Sequence, residues 1–287
     1  MTGPSAAFAL SGFAPVSDIQ AFRRMLLERS GLNLTEDKDY LLKSRLAPVV
    51  REEGLADLDR LFAATRADPF GRVAQKCIDA LATHESFFFR DATPFDQVRD
   101  VLLPRLIERR RDVKRLRIWS AACSSGQEPY SLAMLLMEER SRMPDWRIEI
   151  VATDMSEPIL QRARTATYSD FEVNRGLSPT RRDRWLNPDP RGWRIADEPR
   201  SMVTFQKHNL LDGMSGMGRF DLIFCRNVLI YFDQERKASC LRQIACGLEL
   251  DGALVLGSAE TVVGLDSPFV PMPGLRGTFG LASAAKA

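Results

Sequence analysis

A chain of 287 residues with 45% hydrophobic and 27% charged side chains has ordinary globular composition, enough for one large domain and a small one. Forty basic residues against thirty-eight acidic ones leave a net charge of +2, too balanced to indicate nucleic acid. Five scattered cysteines in apolar surroundings (Cys77, Cys123, Cys225, Cys240 and Cys246) and only two histidines, His84 and His208, argue against a disulfide framework and a metal site, so a reducing compartment and no metal are expected.

Residues 1–16 read as a flexible N-terminus. They lack the basic start and long apolar core of a signal peptide, and nowhere do eighteen apolar residues run together, so a soluble, cytoplasmic protein without membrane insertion is expected. Residues 17–82 read as a helical domain: "SDIQAFRRMLLERSG", "EDKDYLLKSRLAPVVREEG", "ADLDRLFAATRADP" and "GRVAQKCIDALATH" are helical segments separated by short breaks. In the second, Leu42, Leu46, Val49 and Val50 recur at helical spacing while Lys43 and Arg51 fall on a wetter flank. From residue 83 to 287 the texture changes. Strand-length apolar runs, "RLRIWS", "IEIVATD", "VTFQKHN", "DLIFCRN" and "ALVLGS", alternate with helical segments, which implies an α/β domain with a parallel sheet covered on both faces. The basic run "RLIERRRDVKRLR" at 105–117 reads as a solvated helix end leading into a strand, with contact to an acidic partner as the alternative. Residues from about 171 to 201, rich in Pro, Arg and Gly and holding Trp185 and Trp193, read as an insertion at the sheet edge, a short antiparallel ribbon. The closing "FVPMPGLRGTFGLAS" reads as two strands around a Pro-Gly turn that finish the sheet antiparallel.

In such a sheet ligands bind beyond the carboxyl ends of the strands. The stretch "IWSAACSSGQEPYSLAM" at 118–134 stands at that place, and its small residues suit either a closely approaching ligand or close helix–strand packing. No Gly-Lys-Ser/Thr follows Gly126, which excludes a phosphate loop of the triphosphate type. "IEIVATD" ends in Asp154, placed either to cap the next helix or to accept the two hydroxyls of a ribose. One helix and one strand fit between Gly126 and Asp154, which favours the ribose, and the missing G-x-G-x-x-G speaks against NAD. In "DLIFCRNVLIYFD", Arg226 and Asn227 end a buried strand and Tyr231 follows one helical turn on. No Asn/Asp-Pro-Pro-aromatic run occurs there, which disfavours methylation of base nitrogens. In "LATHESFFFRD" the guanidinium of Arg90, packed beside Phe87, Phe88 and Phe89 and near Thr83 and Ser86, suits a carboxylate; a structural salt bridge at a domain junction is the alternative.

Four of these stretches, "THESFFFR", "WSAACSSGQEPYS", "ATDMSEPIL" and "FCRNVLIYFD", resemble in order the motifs of the chemotaxis receptor methyltransferase family, CheR, and the resemblance runs from about residue 17 to 282. It implies a Rossmann-like S-adenosylmethionine-dependent methyltransferase sheet with an N-terminal all-helical domain and a small inserted antiparallel β-subdomain. It implies a protein-glutamate O-methyltransferase that esterifies glutamates on the cytoplasmic helices of methyl-accepting chemoreceptors and releases S-adenosylhomocysteine. By the same resemblance Ala122 lies against the cofactor, Glu128 meets its amino-acid end, Asp154 takes the ribose hydroxyls, and Met155, Asn209 and Leu210 border the adenine. Arg226 and Asn227 close the amino-acid side, while Thr83, His84, Ser86 and Arg90 line the place where cofactor and acceptor meet. Arg90 and Tyr231 are the candidate catalytic residues, as orienting hydrogen-bond donors to the acceptor carboxylate. His84 stands where the family usually has Asn, which adds a titratable group, and Ser86 where it usually has Thr. In the family the helical domain meets acidic receptor helices through basic side chains. Arg23, Arg24, Lys43, Arg45 and Arg51 are the candidates, against plain solvation, since residues 16–53 hold seven basic and seven acidic side chains. In some members the β-subdomain docks a receptor's C-terminal peptide by strand addition. A monomer recruited to membrane-bound receptor arrays is expected. The alternatives are a cofactor-binding signalling adaptor without receptor methylation and a carboxyl methyltransferase for another protein.

Overall fold

The computed structural model describes residues 17–214 and 216–282, so the expected flexible N-terminus lies outside the described residues. The chain divides into two compact units, one reaching to Glu28 and resuming over Leu34–Leu81, the other made of Arg29–Asn33 and everything from Ala82 onward.

The first unit is built from the helices Asp18–Ser30 (to Glu28), Asp39–Glu52, Leu58–Ala67 and Arg72–Leu81. Helical spacing puts Leu42, Leu46 and Val49 inside with Leu61, Phe62, Ala74 and Ile78. Asp57 caps its helix by accepting the Arg60 N–H at 2.9 Å, satisfying one of the donors a helix start leaves open. Burial pushes the Cys77 thiol up to about 12, which makes it a packing residue without reactivity.

The second unit holds strands β1 (Arg115–Ala121), β2 (Arg147–Asp154), β3 (Thr167–Tyr168), β4 (Leu186–Asp189), β5 (Gly192–Ile195), β6 (Val203–Lys207), β7 (Phe220–Cys225), β8 (Leu248–Leu256), β9 (Phe269–Pro271) and β10 (Thr278–Leu281). Seven of them form one sheet in the order β6-β2-β1-β7-β8-β10-β9. The first five are mutually parallel, and β10 runs antiparallel to both β8 and β9. Alternation along β1 explains the two covered faces: Leu116 and Ile118 belong to one core cluster, Trp119 and Ala121 to the other. Because the chain fills one side of β1 with β2 and β6 before returning to place β7 and β8 on the other, the order reverses between β1 and β7. The carboxyl ends of these strands are therefore the expected ligand position.

The insertion is larger than a ribbon. It is a three-stranded antiparallel sheet, β3-β5-β4, and its first strand lies before residue 171, directly after the Glu157–Thr165 helix. Two residues are too short to show a strand period, which is why the chain pattern does not reveal β3. Tyr168 from that strand donates its hydroxyl to the Ser125 carbonyl at 2.8 Å and so ties the small sheet to the loop after β1. The basic run at 105–117 is largely engaged within the fold. Arg110 donates to Asp221 at 2.7 Å and to Asp251 at 3.0 Å, and Arg117 donates to Glu149 at 3.0 Å while lying over the Phe220 ring.

Candidate active site

The loop after β1 is held in an uncommon backbone shape. Ala122 (φ 55°) and Ser124 (φ 52°) adopt the left-handed conformation without being glycine, and Gly126 (φ 92°) follows as the residue that opens the Gln127–Glu138 helix. A Cβ on Gly126 would lie 3.0 Å from the Ala163 Cβ and 3.1 Å from the Tyr168 hydroxyl, so packing and dihedral both require glycine here. Gly126 serves close packing, while Ala122, Cys123 and Ser124 border an open cleft.

That cleft lies at the carboxyl ends of β1, β2 and β7 and encloses about 950 Å3 counting its open mouth, a size suited to a nucleoside-bearing small molecule. The residues predicted for cofactor and reaction border it together: Thr83, His84, Ser86, Arg90, Ala122, Glu128, Asp154, Met155, Asn209, Leu210, Arg226, Asn227 and Tyr231. Asp154 is buried at the tip of β2. Its Oδ2 accepts the Ser124 N–H and its Oδ1 the Ser156 N–H, both at 3.0 Å, which fixes the plane of the carboxyl group. The N-cap of the following helix is Ser156, so Asp154 is not that helix's cap.

Glu128, in the first turn of its helix, points back under β1. It accepts from Ser120 Oγ at 2.8 Å and from Arg226 Nη1 at 3.0 Å. Burial pushes its carboxyl above the usual carboxylate range, and Arg226 and Ser120 oppose that shift. The Arg226 side chain is 1% exposed and gives its other terminal nitrogen to the Asp91 carboxylate and the Arg90 carbonyl, each at 2.8 Å. Arg226 therefore links the end of β7, the Gln127–Glu138 helix and the segment that bears Arg90. The Arg90 guanidinium lies over the Phe87 ring and donates to the Glu85 carbonyl at 3.0 Å, whereas the Glu85 carboxylate pairs with Arg175. The salt-bridge alternative for Arg90 thus finds no carboxylate partner among the described ion pairs. The Asn209 side chain is tied to the backbone, donating to the Arg29 carbonyl at 2.6 Å and accepting from Leu211 N–H at 3.1 Å, which fixes it on the wall of the cleft.

Some residues in or behind the cleft play parts that the chain pattern does not announce. His208 borders the cleft with its ring against Trp119, and burial lowers its pKa, which favours the uncharged ring. Ser124 donates its hydroxyl to the His84 carbonyl at 3.2 Å, joining the loop after β1 to the segment before Arg90. Asp91, adjacent to Arg90 in sequence, and Glu260, beyond β8, become visible only through their partners. Of the five basic residues predicted to meet a receptor, Arg24, Lys43 and Arg51 are exposed. Arg23 is ion-paired with Glu36 and Asp39, and Arg45 donates to the Leu81 carbonyl at 2.7 Å.

The lining fits S-adenosylmethionine: it offers a fixed carboxylate at the tip of β2, a small-residue loop beside it, the apolar side chains of Met155 and Leu210, and the buried Glu128 carboxyl. The mixed seven-stranded sheet, with β10 antiparallel beside β8, carries this cleft at its reversal point, and the family model that matches this part of the chain makes it an S-adenosylmethionine-dependent methyltransferase. The family profile described as "CheR methyltransferase, all-alpha domain" matches residues 17–82, and that described as "CheR methyltransferase, SAM binding domain" matches residues 84–277. The chain is 40% identical over 252 residues to "Chemotaxis protein methyltransferase Cher2" of Pseudomonas putida, covering 86% of this chain and 91% of that one. It is 40% identical over 251 residues to "Chemotaxis protein methyltransferase" of Vibrio parahaemolyticus, with 86% and 90% covered, and 39% identical over 250 residues to "Chemotaxis protein methyltransferase 1" of Pseudomonas aeruginosa, with the same coverage. The chain belongs to the CheR family of chemotaxis protein methyltransferases.

Proposed function

We infer that the acceptors are glutamate side chains on the cytoplasmic helices of methyl-accepting chemoreceptors, esterified in sensory adaptation. The observation that supports this reading is the gathering of Arg90 and Tyr231 on the same cleft as Asp154 and Glu128. When bound, S-adenosylmethionine supplies a methyl group on a sulfonium, so that one O–CH3 bond forms as the S–CH3 bond breaks and its electrons stay on sulfur. A glutamate carboxylate, with an ordinary pKa of about 4.3, reaches the cleft already ionised and needs no general base. Arg90 and Tyr231 orient it through hydrogen bonds, and the Phe87 ring under the guanidinium limits how far Arg90 can swing. The apolar walls limit water, which favours loss of opposite charges as the bond forms.

Of the candidate cations, the exposed Arg24, Lys43 and Arg51 suit acidic receptor helices, and the edges of the β3-β5-β4 sheet suit addition of a receptor C-terminal peptide. Among the described residues no helix is long and apolar enough to cross a membrane, so placement at receptor arrays would come from these contacts. The test is incubation of the full chain with methyl-labelled S-adenosylmethionine and a soluble receptor cytoplasmic fragment. The expected label is released by mild base as methanol and disappears when the modified glutamates are changed to alanine; base-stable label, or none, would refute the reading.

A further inference from the structure

Glu260 does not border the cleft, yet five backbone N–H groups converge on its carboxylate. Its Oε2 accepts from Gly257 at 2.7 Å and Asn227 at 2.8 Å; its Oε1 accepts from Val228 at 2.9 Å, Leu229 at 2.7 Å and Ile230 at 3.3 Å. The donors from 228 to 230 are those left open at the start of the single 3-10 turn Leu229–Tyr231, a turn too short to hold its own shape, and Asn227 directly precedes its cap. The turn begins on Asn227 in the left-handed conformation (φ 59°), and it carries both Asn227 and Tyr231 on the wall of the cleft.

The pairing of Cys225 with Leu256 makes the loops after β7 and β8 leave the sheet side by side. Gly257 lets them touch, since a Cβ there would lie 2.8 Å from both Asn227 Nδ2 and Glu260 Oε2. The far end of the turn is held separately, by the Asn33 N–H donating to the Tyr231 carbonyl at 3.3 Å.

We propose that Glu260 is a positioning residue: its carboxylate holds the 226–231 loop in the shape that presents Asn227 and Tyr231 to the reaction. The part concerning Tyr231 rests on the reading of that residue as a contact to the acceptor. Glu260→Gln is the informative variant because it keeps the size. An amide nitrogen has no lone pair to offer, so whichever way the side chain turns it confronts two or three N–H donors.

The experiment compares full-length wild type, Glu260→Gln, Tyr231→Phe and the double variant by hydrogen exchange of the segment containing 227–231 and by receptor methylation kinetics. Exchange in that segment should rise at least tenfold in Glu260→Gln, and kcat should fall about 10- to 100-fold, the scale of displacing a reacting group by an ångström or less. The double variant should then be little slower than Glu260→Gln alone, because a displaced Tyr231 has no hydroxyl contact left to lose. Unchanged exchange overturns the proposal whatever the kinetics, and so does an unchanged kcat, or a double variant whose loss is the full product of the single losses. Undiminished kcat in Tyr231→Phe alone refutes the reading of Tyr231 instead. Glu260 is then judged by its own exchange and kcat, which must both change if it acts through Asn227.

Discussion

Replacing Arg226 by Met keeps the bulk of the side chain and removes its charge, and the cost can be worked from the partners left behind. Asp91, whose side chain is 38% exposed, turns to water at little expense, and the Arg90 carbonyl loses one donor. Glu128, with its side chain 13% exposed, keeps only the Ser120 hydroxyl, so most of the loss falls on one buried, uncompensated carboxylate. Breaking a buried pair by removing one partner costs about 3–5 kcal/mol, and at about 2 °C per kcal/mol for a unit of this size the Tm falls about 6–10 °C at neutral pH. The sign with pH follows from the direction of the Glu128 shift. Burial already holds this carboxyl above its usual range, and loss of Arg226 raises it further. Between the unfolded and folded values the native state then binds more protons, so stability falls as pH rises through that interval. The deficit of Arg226→Met should shrink as pH is lowered towards 5, and adding Glu128→Gln should recover part of it. Thermal unfolding of wild type, Arg226→Met, Glu128→Gln and the double variant at pH 5.5 and pH 8 reads this directly. A Tm within 2 °C of wild type at pH 8, or an equal deficit at both pH values, would refute the reasoning.

Arg90→Ala should lower the methylation rate by one to several powers of ten, with S-adenosylhomocysteine affinity changed less than about threefold; an unchanged rate would remove Arg90 from the mechanism. Gly126→Ala should destabilise the protein by more than about 1 kcal/mol in urea unfolding, because φ is 92° and the new Cβ meets Ala163 and Tyr168 at 3.0 and 3.1 Å; stability equal to wild type would contradict that geometry. Hydrogen bonds from Arg110 hold the Asp251 carboxyl down to about 2, in a pair whose side chains are 18% and 22% exposed. A depressed carboxyl contributes stability above its unfolded value and loses it as pH falls through the folded one. Asp251→Asn should therefore cost up to about 2 kcal/mol at pH 6 and only about 0.4 kcal/mol near pH 2, measured by chemical unfolding across that range.

The parallel core of the fold was legible because β1, β2, β7 and β8 carry apolar runs bounded by polar residues and β6 alternates Val203 and Phe205 with polar residues, and a helix separates most of them. β3 was not, since Thr167 and Tyr168 form a strand only through partners at Arg194 and Trp193, about 25 residues on. The cleft was legible for a similar reason. Strand ends are marked in the chain by abrupt polarity, as at Asp154 and Arg226, and the loop after β1 by its lack of large side chains. What Arg226 does was less legible than where it stands, because its three partners lie 98 to 136 residues away in sequence. Glu260 has an ordinary acidic appearance in "GSAE", and only the bringing together of two strand ends turns it into the acceptor of five N–H groups. In the helical unit, apolar spacing identified the buried face, but no pattern separates Arg23 and Arg45, which are engaged within that unit, from the exposed Arg24, Lys43 and Arg51.

The measurement that bears most directly on the whole account is calorimetric titration of the full chain with S-adenosylhomocysteine, beside an Asp154→Ala variant shown to fold by its unfolding curve. The expected result is saturable one-to-one binding by the wild type that weakens at least about tenfold in the variant, equivalent to about 1.4 kcal/mol. Equal affinity of both proteins would place the nucleoside elsewhere, and no binding by the wild type would contradict the assignment of the cleft altogether.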